Sequence, residues 1–395
     1  MKSIKVSAAF LAATLFAFAA TADDGKDKND KEKKPRSENA VTFAAIGDWP
    51  YANTTVTPPK RVLFDNANLL YESINADPDV SLVLHIGDIH SGSEPCTGAG
   101  LSSVPPGSIA SYNQSVFGFF EKFSPPFVYT PGDNEWTDCH KSKQLTSGAP
   151  LNELAAVRNL FFPIPGMTLG VHKKHVSTQA FDFDQKHPED AKFVENVMWK
   201  QKGVVFVTLN LPGSNNDGLP WSGNANKLPV APFLDEPARV REAAQRTLAD
   251  LRWLDAAFDR AEEEHAKAVV IGLQADMWDP AQVAAGGDGL GNYTILVQEL
   301  AQRSLRFGRP VLLINGDSHL FGSDKPLFDP PKSATALDIR TIHNTPLVPN
   351  LTRITVQGST SAPAEWIKVT VDPDSPGVFI WEPKPYCSNP LSSCQ

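Results

Sequence analysis

Four segments of this chain end alike: VTFAAIGD at Asp48, SLVLHIGD at Asp88, FVYTPGD at Asp133 and VLLINGD at Asp317. One Gly-Asp after a strand-like run is ordinarily a turn. Four that reach one rim bring four carboxylates together, and like charges so placed repel unless cations offset them. The chemistry implied is a polynuclear metal centre with hard, oxygen-rich donors. Asp88 is its expected centre. Gln274, at the end of KAVVIGLQ, and His319, two residues past Asp317, are further donors at run ends. His90, Asn134, Glu135 and His140 follow these carboxylates closely enough to take part. His85, inside an apolar run, reads as a core histidine, and Trp49 and Trp136 read equally as pocket walls or as loop packing.

The elements that would carry these residues can be read from periodicity. Each Gly-Asp run looks like a buried parallel strand with its carboxylate at the C-terminal edge, where open α/β sheets bind ligands. Further strands are expected at 203–210 and 267–273. Apolar spacing predicts helices over 61–76, 109–123, 151–161, 237–265 and 293–307. The alternating β-α-β order builds a largely parallel sheet, an α/β fold. The tail, 351–381, alternates as three strands of antiparallel character, placed in a second sheet beside the first. The stretch 163–199 has little periodicity and reads as a lid-like insertion. GGDGLG at 286–291 follows no strand and is a loop, not a dinucleotide site.

The net charge of −9 argues against wrapping a polyanion, and so against a scaffold role on nucleic acid. The chain opens MKSIK, continues with VSAAFLAATLFAFAA and reaches Ala20-Thr21-Ala22. Basic, apolar and small-residue segments in that order read as a cleaved secretory signal over 1–22, which sends the protein to the periplasm or outside the cell. A charged, flexible tether is expected at 23–39 and one domain over 40–395. No later apolar run is long enough for stable membrane insertion. Export makes disulfides the natural reading of the four cysteines. Cys96 with Cys139 and Cys387 with Cys394 is the favoured of three pairings; four reduced thiols are the alternative.

Taken in order, GDWP at Gly47, GDIH at Gly87, PGDNE at Pro131, GLQAD at Gly272 and NGDSH at Asn315 resemble the motifs of the calcineurin-like metallophosphoesterases, including the purple acid phosphatase branch. That family's pattern is D-x-H, G-D-x-x-D or G-D-x-x-Y, G-N-H-E/D, a strand-end His and G-H-x-H. The resemblance covers about 41–320 and implies a β-sandwich with flanking helices: two mixed sheets, with the site at strand C-terminal ends. It implies one divalent ion held by Asp48, Asp88 and His319, and a second by Asp88, Asp133 and Asp317, with Gln274 as a further donor. Pro50, Asp133, Gln274 and Asp317 replace family ligands, and Asn134 replaces the histidine that assists the leaving group. The shift from nitrogen to oxygen donors favours Mn, Mg, Ca or Fe over Zn.

The expected function is an exported hydrolase of small phosphorylated substrates, with metal-bound hydroxide as nucleophile and Asn134, His90 and Glu135 as candidate catalytic groups. The alternative is a catalytically degenerate metal-binding scaffold of the same fold, because two family histidines are missing. A serine hydrolase built on Gly316-Asp317-Ser318 is set aside. In such enzymes that triplet follows the first strand and a late D-x-x-H is present, and neither condition holds.

Overall fold

Apolar runs that alternate around small residues form the strands of the molecule. In this computed structural model the described residues are 37–53, 56–57, 60–96, 109–141, 144, 149–221, 236–333 and 335–394. The expected leader, and the tether as far as 36, lie outside them. The first sheet runs β12-β11-β1-β2-β3, with β1 at Val41–Ile46, β2 at Val80–His85, β3 at Phe127–Tyr129, β11 at Ala364–Val371 and β12 at Phe379–Cys387. The second runs β4-β5-β6-β7-β8-β10-β9. Its members are β4 at Ser177–Thr178, β5 at Val197–Gln201, β6 at Val204–Thr208, β7 at Ala268–Gly272, β8 at Val311–Asn315, β9 at Gly322–Asp324 and β10 at Leu351–Thr355. β1, β2 and β3 are parallel neighbours, as are β6, β7, β8 and β10.

Period-two alternation divides each central strand between two cores. Phe43, Ala45, Leu82 and Leu84 face inward and meet Val270, Leu312 and Ile314 of the opposite sheet. The outward residues Ala44, Ile46 and Val83 pack under α1 (Ala67–Asn75), α2 (Ile109–Phe120) and α3 (Pro150–Phe161). On the other side Val269, Ile271 and Leu313 lie under α4 (Glu236–Glu263) and α5 (Thr294–Phe307). The result is a four-layered mixed α/β sandwich, as the motif resemblance implies. No helix among the described residues is long and apolar enough to cross a membrane.

Three local expectations are corrected. The tail strands do not form a sheet of their own: β10 joins β8 in parallel, while β11 pairs antiparallel with β1 and carries β12 at its edge. Alternation tells which face of a strand is apolar but not which edge it extends. The stretch 163–199 is no lid; it supplies β4 and β5 to the second sheet, and Trp199 stacks on Phe206 at 4.9 Å. The helix expected over 61–76 is broken at Asn66, whose side-chain amide donates to the Val62 carbonyl at 2.8 Å, a local bond that competes with the helix ladder.

A candidate dinuclear metal centre

Three strands end in a residue whose backbone turns sharply back. Asp48, Asp88 and Asp317 have φ of 50°, 58° and 70°, and His319 has 62°. Left-handed backbone at a non-glycine residue costs on the order of 1–3 kcal/mol and persists only where the surroundings over-determine it. Aspartate is among the residues that tolerate it best. Glycine clears the space around Asp88: a Cβ on Gly132 would lie 2.1 Å from Asp88 Oδ1 and 2.6 Å from the Asp88 nitrogen. Gly87, at φ +93°, would drive a Cβ to 2.6 Å from the Gly132 nitrogen.

These turns gather two donor groups, Asp48 with Asp88 and His319, and Asp88 with Asp133 and Asp317. Within each group the potential ligand atoms lie within 4.8 Å of one another. Asp88 belongs to both. At the first group the His319 Nε2 is 3.0 Å from Asp48 Oδ1. The Tyr51 hydroxyl stands 3.2 Å from Asp48 Oδ1, 3.2 Å from Asp88 Oδ2 and 3.1 Å from His319 Nε2. One phenolic proton cannot serve two carboxylates and an imidazole. The separations match the edge of an octahedron, about 3.0 Å for metal–oxygen bonds of about 2.1 Å. Asp48 Oδ2 is buried with no hydrogen-bond partner among the described residues. Burial, and then the charges of Asp133, Glu135, Asp48 and Asp317, raise the Asp88 pKa well above the usual carboxylate value; burial, Asp133 and Asp48 do the same to Asp317. Crowded carboxylates, an orphaned oxygen and octahedral spacings all fit hard divalent cations.

Around the donors is a supporting set. Thr360 Oγ1 meets His319 Nδ1 at 2.8 Å and fixes which ring nitrogen faces the centre. Asn134 donates its side-chain amide to Asp88 Oδ2 at 2.8 Å and its backbone N–H to Asp88 Oδ1 at 3.2 Å. Glu135 Oε1 accepts from the Asp88 N–H at 2.9 Å, the Gly132 N–H at 2.9 Å and the Tyr129 hydroxyl at 2.7 Å, so it clamps the two turns together. Gln274 differs from the expected ligand. Its oxygen accepts from the Gly213 N–H and its nitrogen donates to Asp133 Oδ1, so it stands in the hydrogen-bonded frame of the second donor group and outside the carboxylates that compose it.

His90 is fully buried, edge-on to Tyr112, and burial lowers its pKa to about 4. His85 is in the core, with Nε2 on the Trp49 carbonyl. His140 is close to Trp221 and is a member of neither donor group. Trp49 and Trp136 are loop packing: the first lies among Phe119, Phe120 and Phe123, the second against Arg246.

Two participants lie outside the residues expected from the motifs. Tyr51 had a signal, because Gly47-Asp48-Trp49-Pro50-Tyr51 has the G-D-x-x-Y spacing, displaced to the first strand. The other is the turn Gly213–Asp217, in which Ser214, Asn215, Asn216 and Asp217 are all left-handed. Ser214 Oγ donates to Asp133 Oδ2 at 2.7 Å, and Lys141 Nζ donates to Ser214 Oγ at 2.7 Å and to Asp138 Oδ2 at 2.7 Å. Buried Arg246 donates to the Asn216 side chain and pairs with Glu242 at 3.0 Å, holding the turn in place. Asparagine and aspartate tolerate left-handed backbone singly, but nothing in SNND announces four such residues in a row.

Cys96 is bonded to Cys139, joining the loops after β2 and β3, and Cys387 to Cys394. The first bond spans 43 residues of sequence, so a Cys96→Ser, Cys139→Ser double variant is expected to lose about 3–4 kcal/mol in urea unfolding. An unchanged midpoint and slope would contradict this.

A pH dependence follows from the crowding. Burial, opposed by hydrogen bonds from Gly132 and Tyr129, pushes Glu135 up to about 7, and burial with the charge of Asp133 pushes Asp138 up to about 6. Folding of the metal-free protein therefore takes up protons. A carboxylate raised in this way contributes stability below its unfolded value of about 4, and the contribution is lost as pH rises through the folded value. The metal-free protein is expected to weaken from about pH 4 to 7, and saturating Mn²⁺, which binds the ionised carboxylates of the donor groups and so binds better as pH rises, to offset the trend. Denaturant titrations at stepped pH, with and without Mn²⁺, test this; metal-free stability that rises with pH would overturn it.

Comparison with known proteins agrees with this geometry. The family model for calcineurin-like phosphoesterases matches residues 41–321, the span that carries all four aspartates and His319. No curated protein matches the chain. With well over half its length matched and the donor groups at the strand ends, the chain belongs to the calcineurin-like phosphoesterase family.

Proposed function

We propose that this protein is an exported hydrolase of small phosphate esters that works with two divalent ions. One is held by Asp48, Asp88, His319 and Tyr51, the other by Asp88, Asp133 and Asp317. The sharing of Asp88 between two donor groups carries the reading, since one carboxylate between two ions is what a two-metal phosphoryl-transfer site requires. Ions bound there supply charge neutralisation of the phosphoryl oxygens and an activated water near neutral pH.

The chain's own residues do the rest. Asn134 holds Asp88 by its amide and is a neutral donor for a phosphoryl oxygen. It has no titratable proton to give a departing alcohol. His90 and Glu135 are both buried, and Glu135 has one oxygen already committed to three donors, so we assign them positioning roles. Lys141 is the cation beside the Asp133 side of the centre. Two disulfides and the leader-like 1–22 support export.

Pro50 and Asn134, where the family pattern has histidines, favour the second reading of a metal-binding protein without turnover. Metal analysis together with hydrolysis of nitrophenyl phosphate separates the two. Two equivalents of metal with turnover is the expected result; two equivalents without turnover would favour the scaffold, and no bound metal would sink both.

A further inference from the structure

We propose that the cavity beside the metal centre is a leaving-group subsite for an uncharged, apolar alcohol or phenol of about aryl size. The proposal rests on the phosphoesterase reading above. The cavity has a volume of about 840 Å³, within the range of roughly 300–1,000 Å³ typical of small-molecule sites. Ser318 is in its wall, and its chain neighbours Asp317 and His319 belong to the two donor groups. Asp276, also in the wall, donates its backbone N–H to Asp317 Oδ2 at 3.4 Å. The cavity thus abuts the centre on the side where β8 ends.

Its lining sets the chemistry of the occupant. Trp278, Leu320, Phe321 and Leu337 present apolar surface, and Leu320 and Leu337 remain 59% and 41% exposed. Covering such surface is worth about 25 cal/mol per Å² of apolar area. The Trp278 indole N–H is buried and has no acceptor among the described residues, in a wall that mixes this apolar surface with charged and hydroxyl side chains. The buried cation of the wall is already spent: Arg353 pairs with Asp276 at 2.6 Å and with Asp324 at 2.8 Å. Asp329 adds a further carboxylate, and Lys332 is exposed on the rim. An anionic leaving group, such as a nucleotide, would face acids with no free buried cation to hold it. A neutral aromatic or branched alcohol needs no cation to hold it and suffers no repulsion from these carboxylates.

The test separates this inference from the reading beneath it. 1-Naphthol is titrated into the metal-free protein with tryptophan fluorescence as the readout, and is expected to bind saturably. Ala284→Trp, on the cavity wall, should weaken that binding about tenfold. In the Mn²⁺-loaded protein the same variant should raise KM for 1-naphthyl phosphate about tenfold more than KM for ethyl phosphate. Leu337→Glu, which puts a charge into the wall at an exposed position, should act in the same direction and guards against a folding artefact of the tryptophan. Naphthol that fails to saturate, or an unchanged KM ratio in both variants while esters are turned over, would overturn the subsite. Saturable naphthol binding, weakened by Ala284→Trp in a protein that hydrolyses no phosphate ester, would leave the apolar site standing and defeat the phosphoesterase reading.

Discussion

Asp88→Asn is expected to empty both donor groups at once, with metal affinity at each falling by more than about 100-fold, the upper range seen for outer-sphere partners of metal ligands. Asp88 is the one side chain common to the two groups. Asparagine keeps the shape and tolerates the left-handed backbone at φ 58°, so the change removes charge and one oxygen donor and little else. Asp48→Asn and Asp133→Asn, each confined to one group, should lose about one equivalent where Asp88→Asn loses two.

Stability supplies an independent sign. Burial and four neighbouring carboxylates raise the Asp88 pKa, so removing its charge relieves repulsion in the metal-free fold. The variant should be at least as stable as the wild type without metal, and less stable than the wild type with Mn²⁺. Elemental analysis of purified protein with paired denaturation curves checks both parts. Retention of two equivalents would show that Asp88 bridges nothing.

Asn134→His is expected to raise turnover of alkyl phosphates by roughly 10- to 100-fold or more, and that of nitrophenyl phosphate far less. General acid help is typically worth about 10²- to 10⁴-fold, and a leaving group already stable as an anion needs least of it. Asn134 is within 2.8 Å of Asp88 Oδ2 at the centre of the proposed site, yet an amide cannot protonate a departing alkoxide. The wild type should accordingly show a steep dependence of rate on leaving-group pKa, and the variant a shallower one at unchanged metal content. Equal wild-type rates across alcohols of very different pKa, with the phosphorus step rate-limiting, would reveal a proton donor elsewhere. His90 is a poor candidate for that donor: it is fully buried, and its pKa of about 4 leaves it neutral at the pH where such an acid would work.

Both predictions rest on residues legible in the amino-acid sequence alone, and the reason is local. A strand that ends in Gly-Asp writes its function within a few adjacent residues, and four such endings in an alternating β-α-β chain must reach the same rim of the layered fold. Asp48, Asp88, Asp133 and Asp317 are readable for that reason, and so is the pairing of Cys96 with Cys139, which follow neighbouring strands. What the sequence leaves open depends on contacts between distant segments. Gln274 ends a strand as a ligand would, but its amide oxygen also accepts from the Gly213 N–H, 61 residues away, a contact that the strand's own sequence does not reveal. Tyr51 enters the donor group only because the loop after β1 folds over Asp88 and His319. Asn215, Asn216 and Asp217 each tolerate left-handed backbone, but the unbroken run at Ser214–Asp217 is held from outside by Arg246, Lys141 and Asp133. The partners of β10 and β11 are equally closed to sequence reading, since alternation specifies the face a strand buries and leaves its edge to be decided by which neighbour is free when the sheets assemble.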